Sequence, residues 1–192
     1  SIKKDIGSGD SKNGIQKHDE FAMASGEMSV SEFQQFLLDV FKNLTIFSKS
    51  GSIHYICMDW KHIYEIISAG RKAYSEFKQL CVWKKNNGGM GTFYRSQHEL
   101  VFVFKNGTEK HTNNFKLGET GRYRTNVWDY AGANIVGAGR NSDLAMHPTV
   151  KPVALVADAI QDGMGGSLGF IAVITIVEPF QTFFKTLKPS AT

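Results

Sequence analysis

Between Ser29 and Phe104 the apolar residues change period several times, and that alternation constrains the fold more than any other feature of the chain. Ser29-Val30-Ser31-Glu32 has the form of a capping box, in which Glu32 reaches back to the cap. Phe33, Phe36, Leu37, Val40, Phe41 and Leu44 follow at i, i+3, i+4 spacing and predict an amphipathic helix. Ser52 to Met58 is rich in β-formers and predicts a short strand, closed by Asp59-Trp60. His62 to Ala73 carries Ile63, Ile66, Ile67 and Gly70 on one face, a second helix. Gln79 to Trp83 and Glu99 to Phe104 read as two more strands, the latter ending at the turn Lys105-Asn106-Gly107. Strands separated by helices of this length predict a parallel α/β sheet. The third strand follows a loop, so it is expected to run antiparallel beside the second.

The flanks read differently. Residues 1–28 are rich in Gly, Ser, Lys and Asp without apolar periodicity, and predict a flexible N-terminal arm. Residues 29–162 form the α/β core. Within it, 108–146 is rich in Gly, Asn, Arg and Thr with little periodicity, and a stretch that long is functional or disordered. Ala145-Met146-His147-Pro148-Thr149-Val150-Lys151-Pro152 then leads into a helix carrying Val153, Val156, Ala159 and Ile160. The prolines hold the residues before them out of the helical region, and Pro152 has no N–H to lose in a first turn. Lys151 beside that helix start suits an anion, although a plain proline-capped turn has the same form. Residues 163–192 read as a divergent apolar tail.

Fourteen Phe can fill a sizeable core, and a formal charge of +4 permits nucleic acid without demanding it. Cys57 and Cys81 lack metal-ligand spacing, and six scattered His add no ligand pair, so no metal is expected. The longest apolar run, Leu168 to Val177, is too short to span a bilayer, and no signal peptide is legible. A cytoplasmic protein off the membrane is expected.

Several residue groups suit binding, each with a bland counterpart. Asp59, directly after a strand, faces a ligand or caps the next helix. Arg122-Tyr123-Arg124-Thr125-Asn126-Val127-Trp128 interleaves cations, aromatics and amides, a mix for phosphate contact, base stacking and edge reading. The same residues also fit a surface loop with Trp128 tucked into the core. Lys110, His111, Lys116 and Arg140 lie in the same segment. The basic, glycine-rich stretch from Lys84 and Lys85 to Gly91 covers a ligand or is simply solvated, and Tyr94, Arg95 and His98 follow it.

In their order, these phrases resemble a known family. Phe21-Ala22-Met23-Ala24-Ser25-Gly26-Glu27-Met28, Cys57-Met58-Asp59-Trp60, Cys81-Val82-Trp83, Tyr94-Arg95-Ser96-Gln97-His98-Glu99 and the His-Pro-Thr-x-Lys-Pro turn look like bacterial DNA methyltransferases that modify the amino group of adenine (N6) or cytosine (N4). The resemblance is to the circularly permuted branch, in which the catalytic half precedes the cofactor half and some members carry a ParB-like domain. It runs from about residue 15 to Asp162. It implies a Rossmann-like sheet with helices on both faces, S-adenosylmethionine as cofactor and DNA as partner. His147, Thr149, Lys151 and Asp59 would then contact the cofactor. Arg122, Tyr123, Arg124, Asn126, Trp128, Lys84, Lys85 and Arg95 would contact DNA, with 108–146 as the recognition segment.

Two family motifs are not found. The Asp-Pro-Pro-Tyr-type tetrapeptide, which would receive the target amino group, does not occur in the chain. Where a glycine-rich cofactor loop should follow the residue-152 helix, the chain reads Ile176-Val177-Glu178-Pro179-Phe180-Gln181-Thr182-Phe183. The expectation is a methyltransferase fragment truncated at both ends and inactive alone, with a missing half in trans or a second copy of the chain (a homodimer) as a possible partner. The rival reading is a catalytically dead DNA-binding or interaction module. A third is an inactive remnant whose lost strands leave sheet edges open to pairing, with Gly169 to Phe180 available to cover an edge or join a dimer.

Overall fold

The capping box at Ser29 closes as its sequence predicts. Ser29 Oγ accepts from the Glu32 amide at 3.3 Å, and the Glu32 carboxylate accepts from the Ser29 amide at 2.8 Å. The structure, a computed structural model, describes residues 28–89, 93–115, 119, 121, 123–132, 151–163 and 171–175. Helix α1 (Val30–Ile46) leads to β1 (Ile53–Met58), a 3-10 turn (Trp60–His62), α2 (Ile63–Ala73), β2 (Glu76–Lys84), β3 (His98–Lys105), β4 (Val127–Asp129), α3 (Val153–Gly163) and β5 (Ile171–Thr175).

The strands form one sheet in the order β4-β2-β3-β1-β5. β3 is antiparallel to both β1 and β2, whereas β5 runs parallel to β1 and β4 parallel to β2. All strands except β3 therefore point the same way. This is the mixed α/β sheet, with helices on both faces, that the alternating periods and the resemblance predict, including the reversed third strand. No helix among the described residues is long and apolar enough to cross a membrane.

Strand alternation sorts the core into two layers. Ile56 and Met58 of β1 and Leu100, Phe102 and Phe104 of β3 face α1 and α2, where they meet Phe33, Leu37, Phe41, Ile66 and Ala69. Ile53, Tyr55 and Cys57 of β1, Cys81 and Trp83 of β2 and Val101 and Val103 of β3 face the other way, onto Trp128, Leu155 and Ala159 of β4 and α3. β1 is buried along its whole length, and β3 is the middle strand of the five. At its far end the β3 turn folds tightly against Ser50. Gly107 has φ +68°, and a Cβ there would lie 2.2 Å from Ser50 Oγ, so only glycine fits.

Three differences from the sequence reading have physical causes. β2 starts at Glu76 rather than Gln79, because pairing with Lys105 and Phe104 recruits Glu76 and Phe77 ahead of an irregularity at Lys78 that breaks the period. The stretch 108–146 contains β4, whose three residues are too few to show alternation and which is aligned by the edge of β2. The stretch read as an apolar tail contains β5, whose backbone pairs with β1 from Ile53↔Ile171 to Cys57↔Thr175 and covers that edge.

Candidate functional site

The carboxyl ends of β1, β2, β4 and β5 lie along one edge of the sheet, and the start of β3 lies there too. That edge is where open α/β sheets bind ligands. The register pairs Met58 with Leu100 and Lys84 with His98, so Asp59 and Lys85 leave their strands on either side of the start of β3, where Glu99 stands opposite Trp83.

Glu99 is the centre of this edge. It sits at the sheet end of the alternation that buries Val101 and Val103, on the face covered by α3. Its Oε1 accepts from Lys85 Nζ at 2.6 Å and its Oε2 from Lys151 Nζ at 2.5 Å. Both ammonium groups also lie over the Trp83 ring, at 4.7 Å for Lys85 and 5.5 Å for Lys151. Trp83 itself is buried and donates Nε1–H to the Tyr130 carbonyl at 2.9 Å. Burial opposes the Glu99 charge, yet the Lys151 and Lys85 ammoniums together outweigh it and hold its carboxyl below the usual range. Two cations on one carboxylate leave one positive charge in excess. The Lys151 side chain is only 9% exposed, so that charge belongs to the wall of the edge and not to a waving surface lysine.

Asp59 is exposed and caps the 3-10 turn, its Oδ1 accepting from the Lys61 amide at 2.9 Å. Capping uses one carboxylate oxygen and leaves the residue beside the ligand edge, so both sequence readings of Asp59 remain compatible. His147 and Thr149 lie outside the described residues.

The chain leaves β2 as the arm of a hairpin. Lys85 N donates to Gln97 O at 2.9 Å, Gln97 Nε2 to Lys85 O at 2.8 Å, and Gly89 N to Ser96 O at 2.8 Å. Arg95 grips the same neck, donating to the Gly89 and Gly88 carbonyls at 2.9 and 3.0 Å. Phe93 and Tyr94 stand on it almost fully exposed, 83% and 88%, with ring centroids 4.3 Å apart. Lys84 pairs with Asp129 at 2.6 Å on the exposed side of β2 and β4.

The segment before β4 divides by orientation. Tyr123 is exposed. Arg124, in contrast, turns inward: it donates to Asp162 at 2.5 Å and to the Tyr130 hydroxyl at 2.8 Å, and lies 4.7 Å over the Trp128 ring. The Tyr130 hydroxyl donates in turn to Asp158 at 2.6 Å. Burial and that hydrogen bond push the Tyr130 phenol up to about 12. Trp128 is buried, with its indole N–H on the Thr125 carbonyl at 3.1 Å. Asn126 is spent on β2, its side chain donating to Leu80 O at 3.1 Å and its carbonyl accepting from Val82 N at 2.7 Å. Arg124, Asn126 and Trp128 thus fasten the segment to α3 and β2. Arg122, Lys116 and Arg140 lie outside the described residues.

Sequence reasoning did not single out Glu99, Trp83 or the exposed Phe93. Trp83 and Glu99 end two of the family phrases, Cys81-Val82-Trp83 and Tyr94-Arg95-Ser96-Gln97-His98-Glu99, but as single residues they carry only the ordinary signal of strand alternation. Phe93-Tyr94, a paired aromatic beside a glycine-rich loop, has a visible cue of its own. Among the described residues no group of His, Cys, Asp and Glu gathers in a form that could hold a metal ion.

A family model described as DNA methylase, of N6/N4 type, matches residues 3–164. The crystal structure of the M1.HpyAVI–SAM complex is similar with a TM-score of 0.53 at 18% identity, covering 81% of this chain and 83% of that one. At that identity the likeness speaks for the fold. No curated protein matches the chain.

Proposed function

The chain belongs to the DNA methylase family, and from that premise we propose that its carboxyl edge binds S-adenosylmethionine while the hairpin and recognition segment hold DNA. The chemistry served is methyl transfer to the exocyclic amino group of adenine or cytosine. The observation that carries this reading is the union, at Glu99, of a lysine from the turn before α3 with a lysine from the hairpin.

The described residues fit the amino-acid end of the cofactor, which bears a carboxylate and an ammonium. The excess positive charge around Glu99 suits the carboxylate, with Lys151 as its nearest contributor, and the exposed Asp59 suits the ammonium. His147 and Thr149 of the same turn are proposed as further contacts, on the family resemblance. When bound, the cofactor supplies an electrophilic methyl on sulfur. The protein's own part is to fix orientation, exclude water and align the amine.

For DNA, Lys84, Lys85, Arg95 and Arg122 are proposed as phosphate contacts. Tyr123, with Phe93 and Tyr94, supplies flat exposed rings for stacking on bases. Arg124, Asn126 and Trp128 support that surface from beneath. This chain alone is expected to transfer methyl groups poorly, since no Asp-Pro-Pro-Tyr tetrapeptide occurs in it to receive the amino group. A second polypeptide in trans that carries such a tetrapeptide would supply that function.

Calorimetric titration of the chain with S-adenosylmethionine tests the proposal. Saturable binding that is lost in Lys151→Ala is expected. Absence of binding would sink the cofactor assignment. A second reading, a catalytically silent DNA-binding module, is favoured by the solvent-facing Phe93–Tyr94 pair on a basic hairpin. Its sign is salt-dependent DNA binding that is indifferent to S-adenosylmethionine.

A further inference from the structure

We infer that Glu99 is a positioning residue that couples the two binding regions, so that DNA held by the hairpin changes the affinity of the cofactor edge. The inference rests on the proposed function and deepens it. Glu99 touches three separate parts of the chain. It belongs to β3, it holds Lys85 at the root of the hairpin, and it holds Lys151 at the entrance to α3. Each oxygen serves one lysine, so neither segment moves without disturbing the carboxylate on which the other depends. Trp83 lies beneath both ammoniums and limits where they can go.

The geometry makes this a shared joint and not two local contacts. Lys85 is tied into the hairpin neck by backbone and side-chain bonds to Gln97, and the neck continues to Gly89 and Arg95. Lys151 is followed by Pro152, whose carbonyl accepts from the Val156 amide as α3 begins. A ligand that fixes either lysine therefore pre-organises Glu99 for the other. Coupling of that kind is reciprocal: whatever factor DNA applies to cofactor affinity, the cofactor applies to DNA.

Glu99→Gln keeps the shape of the side chain and removes the charge that serves both ammoniums. Hydrogen exchange on the unliganded 192-residue chain is the first measurement. Faster exchange is expected at both the hairpin neck, 85–89 and 95–97, and the first hydrogen-bonded amides of α3, from Val156 onward, with α1 and α2 unchanged. Exchange that rises on only one side, or on neither, overturns the joint. The second measurement is the dissociation constant for S-adenosylmethionine with and without a duplex DNA, in the parent and in Glu99→Gln. DNA is expected to tighten cofactor binding by about five-fold or more in the parent, and the ratio is expected to fall to about one in the variant. A general loss of stability would weaken both constants but would not move their ratio. A parent that binds no cofactor would fail the proposed function and take this inference with it. A parent that binds, with the same ratio in Glu99→Gln, would overturn this inference alone.

Discussion

Gly70→Ala pits two effects of known size against each other at one buried contact. Gly70 lies on the face of α2 that packs on the sheet, and a Cβ there would fall 2.4 Å from Cε1 and Cζ of Phe104. Real atoms do not approach so closely, so either the ring or the helix must shift. The ring has little freedom: it is fully buried, stacked on Tyr74 at 4.9 Å, and flanked by Phe77 at 5.1 Å and Phe41 at 6.0 Å. Alanine gains about 1 kcal/mol of helix propensity over glycine. Overpacking a well-filled core costs about 1–3 kcal/mol. With the ring gripped on several sides the second term wins, and a net destabilisation of about 1 kcal/mol is expected. The assay is equilibrium urea denaturation of four proteins: the parent, Gly70→Ala, Phe104→Leu and the double variant. Phe104→Leu lowers stability by itself but removes the ring edge. In that background Gly70→Ala should stabilise by about 1 kcal/mol, its propensity gain alone. The two substitutions should therefore couple by about 2 kcal/mol, within the range for residues in contact. If Gly70→Ala raised stability equally in both backgrounds, α2 would not sit on Phe104 as described and the packing of this face would be refuted.

Other predictions follow from the same contacts. His54 is buried against the Tyr74 hydroxyl at 2.8 Å, and desolvation pushes its pKa down to about 4. Its folded pKa lies below the unfolded value near 6.5, so the unfolded chain binds the proton first. Stability is fully present above pH 6.5 and falls between 6.5 and about 4, by on the order of 3 kcal/mol. His54→Gln should flatten that limb in denaturation measured across pH, and an unchanged slope would dismiss His54 as its source. Ser29→Ala removes the Ser29 Oγ contact to the Glu32 amide and should cost about 1 kcal/mol in thermal unfolding. Arg124→Met should cost about 2 kcal/mol through its lost charged hydrogen bonds, while leaving the salt dependence of DNA binding unchanged. Lys84→Ala and Arg95→Ala should do the reverse, each reducing the salt slope by roughly one with little loss of stability. Equal effects of Arg124→Met and Lys84→Ala on that slope would contradict the inward placement of Arg124.

Much of the fold was written locally and is legible without coordinates. α1 has its own cap and its own apolar stripe, β1 and β3 are runs of β-formers bounded by turn residues, and α2 keeps Ile66 and Gly70 on one face. These signals work because a periodicity of 3.6 or 2 is a property of neighbours in the chain. The family phrases are equally local, and the expectation that the chain is a DNA methylase holds. What the tertiary structure alone decided is direction and partnership. Arg124 and Trp128 read the same in sequence whether they face DNA or the core; only the approach of Asp162, 38 positions later, turns Arg124 inward. β4 is a strand only because β2 offers an edge at Val82 to Lys84. Glu99 gave no sign of its role, because its partners stand 14 positions ahead of it and 52 positions behind. Charge pairing across such separations depends on how the sheet brings chain segments together, and no short-range pattern records it.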